Sequence, residues 1–375
     1  MNAKTLDVVV VGGGIIGGSI AWELAGHGLQ VTLIERDRPG AGASSAAAGI
    51  LIPEADPARP PEILDLYQRS LRLYGDFMGR LLADTGLPVE YRVTGRLLLA
   101  LDAAEAATLE QDRQVQHAAG VRAEVWDAAA VRAAEPALTA ATGALFFPDH
   151  ALVDNARLTA NVAMAAARRG VTILTGRPAL GLHVRHDRVL GVELAGERLT
   201  ADVVVNAAGS WAGLLDARVW LPVGPAKGQM LAFETRPPPV QHIIGSRHGV
   251  LVPRADGRLL CGATVEDVGY DATVTAGAIE GLLRGAFAVL PALRNCRLES
   301  TWAGLRPRCT ADELPIIGPD HRLRGLYHAT GHFKMGIISA PITAQAIAAV
   351  VMGRESPLPL APFAPGRFAT GAAEH

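Results

Sequence analysis

Apolar and polar positions along this chain repeat with two different periods, and the switches between them mark out its elements. Residues 5–11 (TLDVVVV) are a β-branched run closed by glycines, the pattern of a buried parallel strand. Residues 15–27 then carry Ile16, Ile20 and Leu24 on one helical face, and Gly28 is placed to stop the helix. Residues 30–35 (QVTLIE) read as the next strand, which makes one βαβ unit. Helical spacing returns at Ile63, Leu66, Tyr67, Ser70, Leu71, Tyr74 and Phe77, over residues 62–83.

From about 88 to 150 the pattern turns to short alternating segments such as VEYRVTGRLLLAL, interrupted by an alanine-rich helix near 102–119. A helix over 155–169, a strand at 171–174, a hairpin over 182–194 and a buried strand at 201–209 (ADVVVNAAG) follow. Strands dominate again from 223 to 265, and a helix is expected near 276–290. The last third closes with LYHATG (326–331) and an apolar helix. Segments of βα character thus alternate with strand-rich ones. The expected fold class is α/β plus α+β: a Rossmann-like nucleotide-binding domain, discontinuous over 1–84, 151–220 and 306–375, with a β-rich substrate domain inserted at 85–150 and 221–305.

Composition narrows the class. At 375 residues the chain is long enough for about two domains. Its 49% apolar and 19% charged residues are an ordinary globular mix. A net charge of −2, with no long run of one sign, gives no reason to expect nucleic acid or an anionic membrane as partner. Cys261, Cys296 and Cys309 are odd in number and far apart, which fits neither a metal site nor a disulfide framework. The N-terminus lacks the pattern of a signal peptide. Residues 335–352 carry Ser339, Pro341, Thr343 and Gln345, which suits a buried helix better than a membrane span. A cytoplasmic protein is expected.

The candidate chemistry begins in VGGGIIGG. Gly12, Gly14 and Gly17 have GxGxxG spacing between a strand and a helix, and Glu35 ends the second strand 18 residues past Gly17. In that context the glycines permit a tight turn, close backbone approach to a pyrophosphate and close helix packing, while the acid can accept ribose hydroxyls. An acid there disfavours NADP, with Arg36 beside it as a complication. Residues 40–51 (GAGASSAAAGIL) are small, hydroxyl-bearing and half alanine, unlike a solvated linker. They suit a loop that wraps a large ligand, which favours FAD over NAD.

These features, with VVVNAAG and the late elements WAGLRPRCTADELPIIG and ATGHFKMGIISAPI, resemble the D-amino-acid oxidase/sarcosine oxidase superfamily, and within it the bacterial glycine oxidases of thiamine biosynthesis. The likeness runs over nearly the whole chain. It implies noncovalent FAD lined by Ile15, Ile16, Glu35, Arg36, Ala43, Ser44, Ala48, Gly49 and Ile50, and by the segment His332, Phe333, Lys334, Met335, Gly336, Ile337 and Ile338. Ser45, Ala208, Gly209, Gly304 and Gly331, in the same blocks, join as cofactor-binding candidates. The turn through Gly331 would give a second helix N-terminus, aimed at the flavin where reduction places negative charge.

The resemblance also implies an arginine on the substrate carboxylate, matched by Arg306, with Arg308 as its rival. A planar guanidinium grips a carboxylate with two hydrogen bonds and fixes its direction. Two positions depart from the glycine oxidase pattern. Val250 stands where a tyrosine contacts the carboxylate, and Lys334 stands where the family has an arginine. His248 is a further candidate for the pocket. Cys309, near the position of a flavin-linking cysteine in sarcosine oxidases, is expected to be inert. The implied activity is oxidation of glycine to glyoxylate or its imine, with O₂ giving H₂O₂ and a thiazole synthase as possible partner. A homo-oligomer is possible. Sarcosine, proline, a D-amino acid or a 2-hydroxy acid as substrate, a dehydrogenase using another acceptor, and a non-catalytic FAD scaffold stay open.

Overall fold

A computed structural model of the chain describes residues 7–138 and 140–369. The parts of the expected domain at 1–6 and 370–375, and the first two residues of the strand predicted at 5–11, lie outside the described residues.

Two large sheets organise the molecule. The first has six strands. Asp7–Val11 lies between Gln30–Ile34 and Val203–Asn206, with Leu326–Thr330 and Thr172–Leu174 further out, all parallel. Ile316–Pro319 adds an antiparallel edge. Four consecutive valines, Val8 to Val11, are buried, because both faces of a parallel strand are covered. The helix Ile15–Gly26 is apolar all round, and Ile20, Trp22 and Leu24 have no exposed surface. It therefore behaves as a core helix, packed in one cluster with Pro61–Thr85, Asn155–Arg168 and Gly336–Val351. The buried Trp22 ring is satisfied by its Nε1–H, which donates to Asp84 Oδ2 at 2.7 Å. The helix expected over 62–83 runs Pro61–Thr85, beginning with proline in its first turn and ending at Gly86 in the left-handed region (φ +67°).

The second sheet has eight strands and is mostly antiparallel, in the order Arg297–Cys309, Val223–Glu234, Arg258–Gly262, Gly249–Pro253, Ile243–Ser246, Arg96–Ala100, Gly143–Phe147, Glu124–Asp127. Its backbone is a ribbon in which Val223 pairs with Cys309 at one end and Glu234 with Arg297 at the other. The boundary expected at 305/306 falls inside the 13-residue strand of this ribbon. A short helix, Ala128–Ala134, and the strand character of 297–309 are features the sequence pattern does not announce.

Phe333–Val351 is long and apolar enough to cross a membrane by length and composition, but most of it is buried inside the fold. Among the described residues no cluster of His, Cys, Asp or Glu could hold a metal ion. All three cysteines are free thiols.

Candidate active site

A cavity of 660 Å³ runs from the glycine turn, across the edge of the first sheet, to the face of the second. Its near end is built of backbone. Gly12 sits at φ +108°, and a Cβ there would stand 2.3 Å from the carbonyl oxygen of Ala207 on the neighbouring strand. Only glycine fits. Gly17 does not line the cavity; it packs beneath Gly12, close enough for a Cβ to meet the Gly12 carbonyl at 2.0 Å. The helix from Ile15 has no side-chain N-cap. Its first N–H donates to Ser44 Oγ (2.9 Å), which ties the following loop to the turn and leaves a helix N-terminus aimed at the cavity.

Glu35 is held by two backbone donors, Gly13 N–H at 2.7 Å and Asp37 N–H at 2.9 Å. Arg36 lies over the ring of Trp211, 3.5 Å from its centroid. Both Glu35 and Arg36 line the cavity, as does Trp211, which the sequence reading did not single out.

The loop from 43 to 50 forms one wall, and its carbonyls are tied down by side chains. Asn155 Nδ2 donates to the carbonyls of Ser44 (2.7 Å) and Ser45 (3.1 Å). Trp302 Nε1 donates to Ala46 (3.0 Å). Arg254, 3% exposed, donates to Ala48 and Val153 at 2.7 Å each and to Asn155 Oδ1 at 3.0 Å. Sequence reasoning missed Asn155 and Arg254; a lone arginine after VLVP carries no local sign that it will be buried.

The far end is built of side chains. Arg306 projects over Gly228 of the partner strand, where a Cβ would collide with its guanidinium at 1.9 Å. Arg306 Nη1 donates to the carbonyls of Thr264 (3.0 Å) and Lys227 (3.3 Å). Burial pulls its pKa below the usual arginine value, and the charge of Glu266 opposes that. Lys334 also lines the cavity. Burial, then the charges of Arg306 and Arg59, lower its pKa, with Glu313 opposing. Neither Arg306 nor Lys334 forms an ion pair among the described residues, whereas Arg308 is paired with Asp267 at 2.5 Å and does not line the cavity. Arg306 and Lys334, with Arg96 on the same cavity and Met230, Val250, Val265 and Phe333 around them, are cations in a largely apolar space, an arrangement suited to an anion.

The remaining candidates divide cleanly. Ile15, Ile16, Gly14, Ala43, Ala48, Gly49, Ile50, Ala208, Gly209, Gly304, His332, Phe333, Gly336 and Ile337 line the cavity. Ser45, Gly331, Met335 and Ile338 do not; Ile338 is fully buried in the helical core and Gly331 (φ +77°) makes the turn. His248 is a correction. Ser246 pairs with Gly249, so Arg247 and His248 are the two turn residues of a hairpin and strand alternation stops before them. His248 is exposed and packs beside Gly285, away from the cavity. His332 is buried and reaches Thr343 Oγ1 (3.2 Å); burial pushes its pKa down to about 3, so it is neutral. Cys309 is fully buried, off the cavity, with its thiol pushed up by burial.

Uncapped helix N-terminus, glycine turn, strand-end acid and a long cavity that ends on unpaired cations define a flavin-dependent oxidoreductase, and these residues fit FAD. The match to known proteins agrees: residues 7–350 fit the family model "FAD dependent oxidoreductase", and the chain belongs to that family. It is 35% identical over 370 residues to the bifunctional protein ThiO/ThiG of Trichormus variabilis, covering 97% of this chain but only 55% of that protein. The chain thus spans about half the length of such bifunctional relatives. It is 32% identical to a glycine oxidase of Geobacillus kaustophilus, covering 95% of this chain and 96% of that one. The crystal structure of glycine oxidase from that organism superposes with a TM-score of 0.91 over 97% of this chain and 99% of that chain, at 30% identity. That of iminodiacetate oxidase from Chelativorans sp. superposes with a TM-score of 0.87 at 29% identity, over 96% and 98%. FAD is the cofactor.

Proposed function

We propose that this enzyme oxidises the C–N bond of a small amino acid, with glycine the leading substrate and O₂ the electron acceptor. The observation that carries the proposal is the pair Arg306 and Lys334, cations without an ion-pair partner among the described residues, at the end of the cavity away from the glycine turn. When bound, FAD supplies the two-electron acceptor and, once reduced, the reactivity toward O₂.

The protein's own part is positioning. Arg306, held over Gly228 by the Thr264 and Lys227 carbonyls, takes the carboxylate in a fixed direction. Lys334 adds charge without adding a second fork. Met230, Val250 and Phe333 exclude water around the α-carbon. Among the described residues no base lines that end: His332 is neutral and already engaged by Thr343, and the carboxylates that line the cavity, Glu35 and Asp37, lie at the glycine-turn end. The amine therefore gives its proton to solvent before or as it binds. Glycine, O₂ and water would yield glyoxylate, ammonia and H₂O₂. A thiazole synthase is the partner proposed for the imine, and the bifunctional ThiO/ThiG relative supports it. On this reading the chain divides into a discontinuous cofactor-binding unit and a substrate unit formed on the eight-stranded sheet.

The test is anaerobic titration of the purified protein with glycine, sarcosine, D-alanine and L-proline, following the flavin band near 450 nm (roughly where an oxidised flavin absorbs). Glycine is expected to bleach it, and readmitted air to restore it with release of H₂O₂. A flavin that no amine bleaches sinks the proposal; bleaching without H₂O₂ makes the enzyme a dehydrogenase that uses another acceptor.

A further inference from the structure

The mechanism leaves Arg96, a charged side chain of the cavity, unused. Arg96 begins its strand in the eight-stranded sheet, is 9% exposed, and lines the same cavity as Arg306. Its side-chain Nε and Nη1 make no hydrogen bond among the described residues. Its Nη1 is paired with Glu54, and its Nε has no partner. Gly245, on the adjoining strand, leaves space for the guanidinium: a Cβ there would stand 2.5 Å from Nη2. His150, stacked on Phe147 at 4.5 Å, completes the surroundings with its Nδ1 3.6 Å from Glu54. A buried arginine with donors to spare is costly unless something uses them.

The register relates the two arginines. Met230 pairs with Gly262, Gly262 with Val250, and Val250 with Gly245, so these four residues form a row straight across the sheet. Residues paired across strands share a face. Met230, Gly262 and Val250 all line the cavity, and two of the four residues have no side chain. The row is a floor. Arg96 stands over its Gly245 end. Arg306 stands over Gly228, two residues along the strand from the Met230 end. Three strand spacings of about 4.8 Å separate the ends of the row, roughly 14 Å. A single α-carboxylate on Arg306 cannot reach Arg96. An amino acid with an acidic group at each end can lie along the floor between them. Val250 belongs to this design, since a small side chain in mid-row keeps the floor low.

We infer that Arg96 is a second carboxylate subsite, and that the preferred substrate is a small amino acid bearing a second carboxylate on its nitrogen or its α-carbon, laid across the floor between Arg306 and Arg96. Glu54 moderates the subsite by occupying one edge of the guanidinium. This rests on the proposal above that Arg306 takes the α-carboxylate, and it names the substrate class.

The experiment compares sarcosine with N-(carboxymethyl)glycine and D-aspartate as anaerobic reductants of the holoenzyme, in the wild type and in Arg96→Met and Glu54→Gln. In the wild type at least one dicarboxylate is expected to half-bleach the flavin at a concentration about tenfold below that for sarcosine, the scale of one charge-assisted hydrogen-bonded contact. Arg96→Met brings that ratio close to one. Glu54→Gln, which frees the guanidinium edge, widens it. No dicarboxylate preference in the wild type, or a preference that survives Arg96→Met, overturns the inference. Should Arg96→Met fail to fold, the wild-type ratio and its direction in Glu54→Gln decide. Bleaching by sarcosine or glycine without a dicarboxylate preference removes only this subsite. No bleaching by any of these amines, glycine included, removes the reading of Arg306 as well.

Discussion

The two ends of the cavity are built from different materials. The adenosine end is backbone: a glycine at φ +108°, an uncapped helix, and a glutamate fixed by two N–H groups. The far end is side chains carried on strands far apart in the chain, with Arg306, Lys334, Val250 and Arg96 brought to one space by strand register and a helix turn. Backbone geometry can be kept through wide divergence because it needs only glycine and a turn. A side-chain constellation changes its meaning with one substitution, which is why one fold hosts many amines.

Damage to the two ends should therefore look different. The largest effect is expected at the backbone end. Gly12→Ala forces a Cβ into the Ala207 carbonyl and strains the turn, costing about 2–4 kcal/mol; the purified protein should be colourless and melt at lower temperature. Retained yellow colour would break the comparison. Next comes Arg306→Ala, which should stay yellow yet lose roughly 10²–10⁴ in kcat/KM for the amino acid, since it removes one partner of a desolvated charge pair. Gly228→Ala sharpens the distinction: the guanidinium must shift while its charge stays, so roughly 10-fold or more in kcat/KM should go with little change in flavin content.

The smallest effect concerns pH. Lys334 loses its proton below the usual lysine range, because burial and Arg306 disfavour the ammonium. As pH rises through that value the site gives up the positive charge of Lys334, so KM for the amino acid climbs on the alkaline side. Lys334→Met should raise KM roughly 5–10-fold near neutral pH and flatten the alkaline rise. A rise of unchanged position in the variant would assign it to another group.

What was legible in the sequence follows the same division. The glycine turn, the strands on either side and Glu35 are neighbours in the chain, so their spacing reads directly. So does the long helix, through its apolar spacing from Ile63 to Phe77. The far end depends on which strands pair and in what register, which no local period reveals. Arg96 and Gly245 are about 150 positions apart in the sequence, and only parallel pairing of their strands brings them together. His248 fails for a related reason: it sits two residues before Val250, but it is itself a residue of the hairpin turn, before the strand begins at Gly249. The strand through Arg306 begins with an exposed stretch, RLEST, that has no strand-like alternation. Arg306 as the candidate for the substrate carboxylate comes from likeness to a family, supported by its apolar neighbours.

Asn155, Trp302 and Arg254 reach the cofactor loop from outside it and hold four of its carbonyls. The loop's own residues are mostly alanine, serine and glycine, so its shape is stored elsewhere, in an asparagine at a helix start, a strand residue of the opposite sheet and the residue just past the end of another of its strands. Transplanting residues 43–50 between related flavoenzymes should carry over none of that shape unless these three donors travel with them. Conversely, drift at any one of the three would loosen the wall around the cofactor while leaving the recognisable motif untouched.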